Sequence, residues 1–374
     1  MPDLTLVLLS AGSASRFVKD FPVKKQWIYI DDIPLWLFVA KRFQKFYDFK
    51  KIIIVSSKEE INYMKNFSDD FEYVEGGDER QESLKKSLEK VQTPYVLVSD
   101  VARACVNQEM IDEIISHHDR AECVVPVLDV SDTVIYEKDT IDRDKVKLVQ
   151  TPQLSKTKVL KKALNQKVLF TDDSSAIKSL GRDVFYTKGN TFAKKITYLA
   201  DLKELVCLKP PKEQFFVGTG YDVHKFVTNK DMFLCGVKID SEFGFLAHSD
   251  GDVAIHALID SLLGAIGAGD IGELFPDTEK KYEGIDSKVL LTRVVEFIKS
   301  VGYEIVNCDI TIQAEVPKLS PYKFKMRKVL ADILGIEPIR VNVKATTTEK
   351  LGFVGRKEGV AVTATSTVKI FKWK

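Results

Sequence analysis

Two α/β domains in one chain is the fold the sequence predicts, and three observations carry the prediction. The chain has 374 residues, more than one hydrophobic core ordinarily serves. Its first half alternates strand-like and helix-like segments, the signature of an α/β layer fold with a mainly parallel sheet. The run Leu208-Lys209-Pro210-Pro211-Lys212-Glu213-Gln214 then breaks the pattern with a Pro-Pro pair among charges, which reads as a linker. The expected division is 1–208 for the first domain, 209–214 for the linker and 215–374 for a second, smaller domain.

In the first domain, Leu4–Leu9, Lys51–Ser57, Tyr95–Ser99 and Cys123–Val127 are β-branched or apolar runs of strand length. Between them, Pro34–Phe46, Lys58–Phe67, Arg80–Val91 and Met110–His118 place apolar residues at helical spacing. In the second domain, Phe215–Gly218 and Met232–Ile239 read as strands, and Asp252–Ile266 as a largely buried helix. Ser287–Val301 and Pro321–Leu334 read as helices, and Tyr303–Val316, Arg340–Thr346 and Val360–Phe371 as strands.

Apolar residues make up 45% of the chain, enough for two cores. Lys plus Arg (55) nearly cancels Asp plus Glu (54). No overall basic field exists to hold a polynucleotide backbone, so nucleic acid is excluded as the expected partner. Five cysteines without a C-x-x-C pair predict reduced, buried thiols in a cytoplasmic protein. No apolar run has the length of a membrane span, and the start lacks the pattern of a signal peptide.

The strongest chemical signal lies in the second domain. Asp222-Val223-His224 follows a Gly-rich strand, and residues two apart in an extended segment project to one side. His256 lies in Asp252-x-x-x-His256-x-x-x-Asp260, a polar stripe on an otherwise apolar helix. Such a stripe needs partners, because unpaired buried charge is costly. A metal held by the imidazole, with the carboxylates around it, supplies them. Single histidines are commonly satisfied core or surface residues; the cluster with acids argues for an ion. Spacing alone leaves His248, in His248-Ser249-Asp250-Gly251-Asp252, open beside His256 as the third ligand. A His₂Asp set leaves a fourth position free, as catalytic zinc sites do. Gly267-Ala268-Gly269-Asp270-Ile271-Gly272 lets backbone approach a ligand, although Gly after a helix is often only a cap. Ala345-Thr346-Thr347-Thr348-Glu349-Lys350 offers hydroxyls, a carboxylate and a cation, suited to phosphate and a hard ion. Pro317-Lys318-Leu319 adds a cation in a rigid turn.

Phe216–Phe226, His248–Asp252, Gly269–Thr278 and Lys344–Phe353 resemble 2-C-methyl-D-erythritol 2,4-cyclodiphosphate synthase, in order and over nearly all of residues 215–374. The resemblance implies zinc on Asp222, His224 and His256. It implies that Asp270, Gly272 and His248 hold the methylerythritol part and that Ser249 is a substrate contact. Thr346, Thr347, Lys318 and Ala314 are its implied contacts to the cytidine diphosphate, Asp277, Phe353 and Arg356 are further implied substrate contacts, and Asp270, Thr347 and His248 are the implied catalytic residues. Glu349 is the implied Mg²⁺ ligand, and Glu279 stands where the family commonly has Asp. The family forms trimers with sites between subunits.

In the first domain, Leu8–Arg16 is a strand running into a small-residue turn, a shape that cradles phosphates. Lys24-Lys25-Gln26, Glu75–Ser83 and Ser99-Asp100-Val101-Ala102-Arg103 follow, the last at a strand end where open α/β sheets bind ligands. With Asp142-Arg143, Thr151-Pro152-Gln153 and Thr171-Asp172, these resemble 2-C-methyl-D-erythritol 4-phosphate cytidylyltransferase across roughly residues 4–205. The resemblance implies that Arg16, Lys25 and Lys195 stabilise charge on the CTP phosphates and that Asp100 binds Mg²⁺. Gly12, Gly76 and Ser83 are the implied nucleotide contacts. Arg103, Thr133, Arg143, Thr151 and Thr171 are implied to position methylerythritol phosphate. Ala104 stands where the family's Asp-Ala-Ala-Arg-Pro has proline, and Val23-Lys24 stands where a proline precedes the lysine.

The two resemblances imply a Rossmann-like nucleotidyltransferase domain joined to a smaller α/β (α+β) cyclodiphosphate-synthase domain. The implied enzyme is bifunctional and works in non-mevalonate isoprenoid synthesis, with Zn²⁺ and Mg²⁺ as cofactors. Its expected partners are small-molecule substrates and copies of itself, a trimer through the second domain and a hexamer if a dimeric first domain persists. A kinase must act between the two steps, and no P-loop or kinase Gly-rich motif is visible.

Overall fold

The computed structural model describes residues 1–12, 17, 22–247, 249–276 and 284–374. It divides into two compact units, Met1–Pro211 with Trp373–Lys374, and Lys212–Lys372.

In the first unit the apolar runs form β1 (Leu4–Leu9), β2 (Lys51–Ser56), β3 (Glu72–Glu75), β4 (Tyr95–Asp100) and β5 (Cys123–Asp129). Three shorter strands, β6 (Lys147–Val149), β7 (Gln153–Lys156) and β8 (Val184–Lys188), complete an eight-stranded sheet. Its order is β6-β5-β7-β4-β1-β2-β3, with β8 paired to β5. The β3-β2-β1-β4 portion is parallel, whereas β7 runs antiparallel to both β4 and β5. The strand order reverses direction at β1, so a crevice opens outside the carboxyl ends of β1 and β4. Val7, Ile53, Val96 and Val98 are buried from the sheet side against Leu84 of the helix Arg80–Glu89 and Leu160 of the helix Thr157–Leu164. Each such side chain contributes about 1.5–3 kcal/mol by leaving water.

Five helices of this unit matter below: α1 (Leu35–Phe46), α2 (Lys58–Met64), α3 (Arg80–Glu89), α4 (Gln108–Ser116) and α5 (Thr157–Leu164). A sixth, α6 (Asp173–Lys178), is capped by Asp172, which accepts from the Ser174 and Ser175 amides. A separate aromatic cluster forms around Trp27, whose ring lies 5.1 Å from Tyr63 and 6.2 Å from Trp36. An antiparallel hairpin, Val134–Tyr136 with Asp139–Ile141, carries exposed Ile135 and Tyr136, each 67% accessible.

The cysteine expectation fails in part. Cys105 and Cys207 form a disulfide across Cα atoms 5.8 Å apart, while Cys123, Cys235 and Cys308 are free and buried. The two partners are 102 residues apart in sequence, and only folding brings the segment after β4 to the end of the unit.

In the second unit, β9 (Phe215–Thr228) is a long strand, followed by the hairpin β10 (Met232–Leu234) and β11 (Val237–Ile239) and then β12 (Phe243–Phe245). The single strand expected over Met232–Ile239 is therefore two. Cys235 and Gly236 both take positive φ, 54° and 75°, and make the two-residue turn. The helices that matter below are α7 (Val253–Ile266), α8 (Ile271–Leu274), α9 (Ser287–Ser300) and α10 (Lys323–Leu334). With β13 (Tyr303–Gln313), β14 (Val341–Thr346) and β15 (Gly359–Ile370), the main sheet has the order β12-β9-β15-β13-β14. Only β13 and β14 pair in parallel. Helix α7 packs across β9 and β15.

Candidate functional site

In the first unit, β1 and β4 deliver Ser10 and Asp100 to the crevice at the order reversal, where a cleft of about 230 Å³ opens. Lys25, Arg80, Asp100 and Lys195 line it. Lys195 Nζ donates to Asp100 Oδ2 at 2.6 Å, and Arg80 Nε lies 3.6 Å from Asp100 Oδ1. Arg80 also donates to Asp173 Oδ1 at 2.9 Å, and Asp173 is fully buried. Burial opposes ionisation of Asp100, but Arg80 and Lys195 outweigh it and hold the carboxyl below the usual carboxylate range. Arg80 in turn is held firmly charged by Asp173 and Asp100 despite its burial. The result is an ionised carboxylate ringed by cations at the mouth of a cleft, suited to a metal and polyphosphate. Gly76 does not line the cleft but packs closely on the lining residue Ala11, whose Cβ would lie 2.6 Å from a Cβ at position 76. Ser83 Oγ accepts from the Gly77 amide at 3.0 Å and fixes the same loop.

In the second unit, Asp222 and His224 project together from the middle of β9, and the first turn of α7 brings His256 to them. The close approach depends on Gly218 and Gly220. A Cβ at either would lie 2.1 Å from a carbonyl oxygen of α7, that of Ser261 or of Ala257. The Gly-rich stretch is thus a packing surface inside the strand rather than a strand end, which corrects the sequence reading.

Asp222 Oδ2 stands 3.3 Å from both His224 Nε2 and His256 Nδ1, and the candidate ligand atoms all lie within 4.8 Å of one another. Tetrahedral coordination at about 2.0–2.1 Å sets ligand atoms about 3.3 Å apart, so the residues fit such an ion. His224 Nδ1 donates to the Gly251 carbonyl at 2.9 Å, which turns Nε2 toward Asp222. His256 Nε2 lies 3.2 Å from the hydroxyls of both Ser249 and Ser287, which leaves Nδ1 for the metal side. Burial pushes the His224 imidazole below its ordinary value, favouring the neutral, ligating form. Burial also works against ionised Asp222, but the two imidazoles hold its carboxyl low.

The stripe carboxylates have other partners. Asp252 caps α7 by accepting from Ile255, and it also takes the Cys235 and Gly236 amides at 2.9 and 2.6 Å. Complete burial raises its pKa to about 6. Asp260 accepts from the Ile271 amide at 2.9 Å. Both therefore hold backbone in place. Neither hydrogen-bonds the imidazole of His256, as the helical stripe had suggested.

Comparison with known proteins agrees in both halves. Residues 4–206 match the family model for 2-C-methyl-D-erythritol 4-phosphate cytidylyltransferase, IspD, and residues 215–369 match the YgbB family model. Over all 374 residues the chain is 57% identical to the bifunctional enzyme IspD/IspF of Aliarcobacter butzleri, covering 100% of both chains. It is 54% identical to that of a Sulfurovum species, again over 100% of both. The chain belongs to the bifunctional IspD/IspF family. The solved structure of the bifunctional IspDF from Campylobacter jejuni superposes with a TM-score of 0.88 at 46% identity, covering 99% of each chain. The first unit is thus an IspD cytidylyltransferase domain and the second an IspF cyclodiphosphate synthase domain, with a divalent-metal site at the His₂Asp triad.

The expected residues of the IspD half distribute unevenly. Gly12, Lys25, Ser83, Asp100 and Lys195 line the cleft, and Thr151 Oγ1 accepts from the Asp100 amide at 3.2 Å. Arg103 is tied to the Ala193 carbonyl at 2.7 Å, two residues from Lys195. Lys194 is taken up by Asp201 and Glu204 instead, at 2.9 and 2.7 Å. Thr133, Arg143 and Thr171 are exposed and absent from the cleft lining; Arg143 donates to the Ser131 carbonyl beside the exposed hairpin. Arg16 lies outside the described residues. The sequence reading gave no role to Arg80 or Asp173. Arg80 stands in the Gly-Gly-Asp-Glu-Arg run, which was the available signal; Asp173 had none.

In the IspF half, Ser249 joins the metal site through His256, while Asp270 caps α8 by accepting from Glu273 at 2.9 Å, next to Gly272. The turn after β14 stands apart. Thr347 Oγ1 donates to Glu349 at 3.1 Å, and the turn is pinned by Glu315, which accepts from the Thr348 and Lys350 amides at 3.1 Å. Glu315 was not anticipated. Ala314 donates its amide to the Thr346 carbonyl, Lys318 follows Glu315 by three residues, Phe353 follows the turn by three residues, and Arg356 is engaged by Glu358 at 2.9 Å. Asp222 pairs with Val362, Val362 with Ile312, and Ile312 with Ala345. Metal ligand and turn therefore share one row across the sheet, three strand spacings or about 14 Å apart. His248, Asp277, Thr278 and Glu279 lie outside the described residues.

Proposed function

We propose that the IspD half transfers CMP from CTP to 2-C-methyl-D-erythritol 4-phosphate. A 4-phosphate oxygen attacks the α-phosphorus and pyrophosphate leaves. Lys25, Arg16 and Lys195 neutralise the charge that builds on the phosphates, and Asp100 holds Mg²⁺. This transfer needs cations and alignment more than a protein base.

The IspF half cyclises 4-diphosphocytidyl-2-C-methyl-D-erythritol 2-phosphate. A 2-phosphate oxygen attacks the β-phosphorus and CMP leaves, giving 2-C-methyl-D-erythritol 2,4-cyclodiphosphate. Zinc at Asp222, His224 and His256, and Mg²⁺ at Glu349, supply Lewis-acid charge there when bound. Asp270, Gly272, Ser249 and His248 hold the methylerythritol part. Thr346, Thr347, Lys318, Ala314, Asp277, Phe353 and Arg356 hold the cytidine diphosphate.

The observation that carries this reading is the presence, in one chain, of a cation-lined cleft at a sheet switch point and a His₂Asp triad with metal-like spacing. The gap across the sheet favours assembly through the IspF half, because the turn of one copy can complete the triad of the next. A trimer is the proposed arrangement. Exposed Ile135 and Tyr136 favour a second contact through the IspD half, and both contacts together give a hexamer. Small, highly charged substrates favour a cytoplasmic setting.

³¹P NMR of the whole protein tests the reading. CTP plus methylerythritol phosphate should give pyrophosphate, and the 2-phosphorylated cytidyl intermediate should give the cyclic diphosphate and CMP. Absence of either product sinks the corresponding half.

A further inference from the structure

The lysine at the cleft mouth sits in a very short element. Lys25 opens a three-residue 3₁₀ turn, Lys25–Trp27. One turn of that kind is too short to fix a side chain by its own hydrogen bonds. The residues on either side of it add to its hold.

Those neighbours converge on one carboxylate. Glu60 of α2 is 2% exposed. Its Oε1 accepts from Lys24 Nζ, and its Oε2 accepts from Gln26 Nε2 at 2.9 Å and from Ser56 Oγ at 2.8 Å. The residues before and after Lys25 are thus bound by the same buried group, and Ser56 ties that group to the end of β2. One turn further along α2, Tyr63 packs on Trp27 at 5.1 Å. Helix α2 therefore grips both ends of the turn. Glu60 does not line the cleft.

We propose that Glu60 is the positioning residue for Lys25: by clamping Lys24 and Gln26 it aims the intervening ammonium at the CTP phosphates. The proposal rests on the reading that Lys25 serves cytidylyl transfer. A buried carboxylate with three donors is expensive to assemble unless all of them are satisfied, and here the satisfied donors are the two flanks of the lysine and the strand beneath. Lys24 has φ −71°, the value that proline fixes covalently. A proline at 24 can therefore replace part of the clamp.

The test uses the full chain and reads pyrophosphate release, with cyclisation in the same preparation as a control for intact protein. Glu60→Gln and Lys24→Met should lower kcat and kcat/KM for CTP equally, by about ten- to a hundred-fold, as expected when a transition-state contact is misplaced. Cyclisation should stay at the wild-type rate. Lys24→Pro placed on Glu60→Gln should recover part of the lost kcat, which a purely structural loss would not show. Glu60→Gln with normal kcat beside an inactive Lys25→Ala overturns the proposal alone. Normal turnover by Lys25→Ala overturns it together with the reading beneath it. A loss in Glu60→Gln that appears only as a raised KM, or that follows thermal unfolding, also overturns it.

Discussion

In the IspD half the charged groups meet within one cleft, with Lys195 2.6 Å and Arg80 3.6 Å from Asp100. In the IspF half the metal ligands meet on β9 and α7, but the hydroxyl-rich turn stands three strands away in the same sheet row. Topology explains the contrast. A parallel sheet whose order reverses leaves a crevice between neighbouring strands, so loops from β1 and β4 share it automatically. A mostly antiparallel sheet with helices packed on it has no such crevice. Its polar groups end on different strands, and in the proposed trimer a second copy brings them together.

The largest expected effect separates the halves outright. His256→Ala should reduce CMP release from the cyclisation substrate about a thousand-fold, the several kcal/mol that a divalent ion contributes. Pyrophosphate release by the same protein should be unchanged. A variant with both activities reduced would break the independence of the halves.

Next comes subunit complementation. His256→Ala and Thr347→Ala, each weak alone, should regain about a quarter of wild-type cyclisation when unfolded and refolded together in equal amounts. That fraction follows from random assortment at a head-to-tail interface. No recovery, with mixed oligomers verified by mass, would show that turn and triad act within one chain.

The IspD half offers a stability test. Arg80→Met strands the buried Asp173 carboxylate and should cost about 3–5 kcal/mol, seen as a lower urea midpoint for that unit. Arg80→Met with Asp173→Leu should recover most of the loss, because removing both partners leaves no unpaired charge. Equal losses in the single and double variants would mean that the pair contributes only by packing.

The smallest effect concerns acid. Arg80 and Lys195 lower the folded-state pKa of Asp100 against the opposing effect of burial. Its stabilising contribution is therefore complete above the unfolded value of about 3.9 and disappears as pH falls through the lower folded value. Urea unfolding between pH 7 and pH 3 should show a shallower acid-side decline in Asp100→Asn than in wild type. An identical slope would show that other carboxylates govern that decline.

The sequence was most legible where chemistry follows local spacing. Asp222 and His224 are two apart in a strand, and the apolar runs of β1, β2 and β4 are long enough to declare themselves. The short strands β6, β7 and β8 left no comparable periodicity, and β9 was read short because Gly218 and Gly220 looked like a terminus. Their role as a seat for α7 depends on a helix that lies about 40 residues downstream in sequence.

By itself, then, the sequence determined the two α/β domains, the metal triad once His256 was chosen, and the families whose motifs it carries. Tertiary structure alone decided that Asp252 and Asp260 hold backbone rather than the imidazole, that Lys195 pairs with Asp100, and that Cys105 meets Cys207. It also placed Glu60 and Asp173 beneath the cleft. The physical reason is range. Backbone periodicity and ligand spacing are set by neighbours a few residues apart, whereas a buried charge acquires its role from whichever distant donor the fold presses against it.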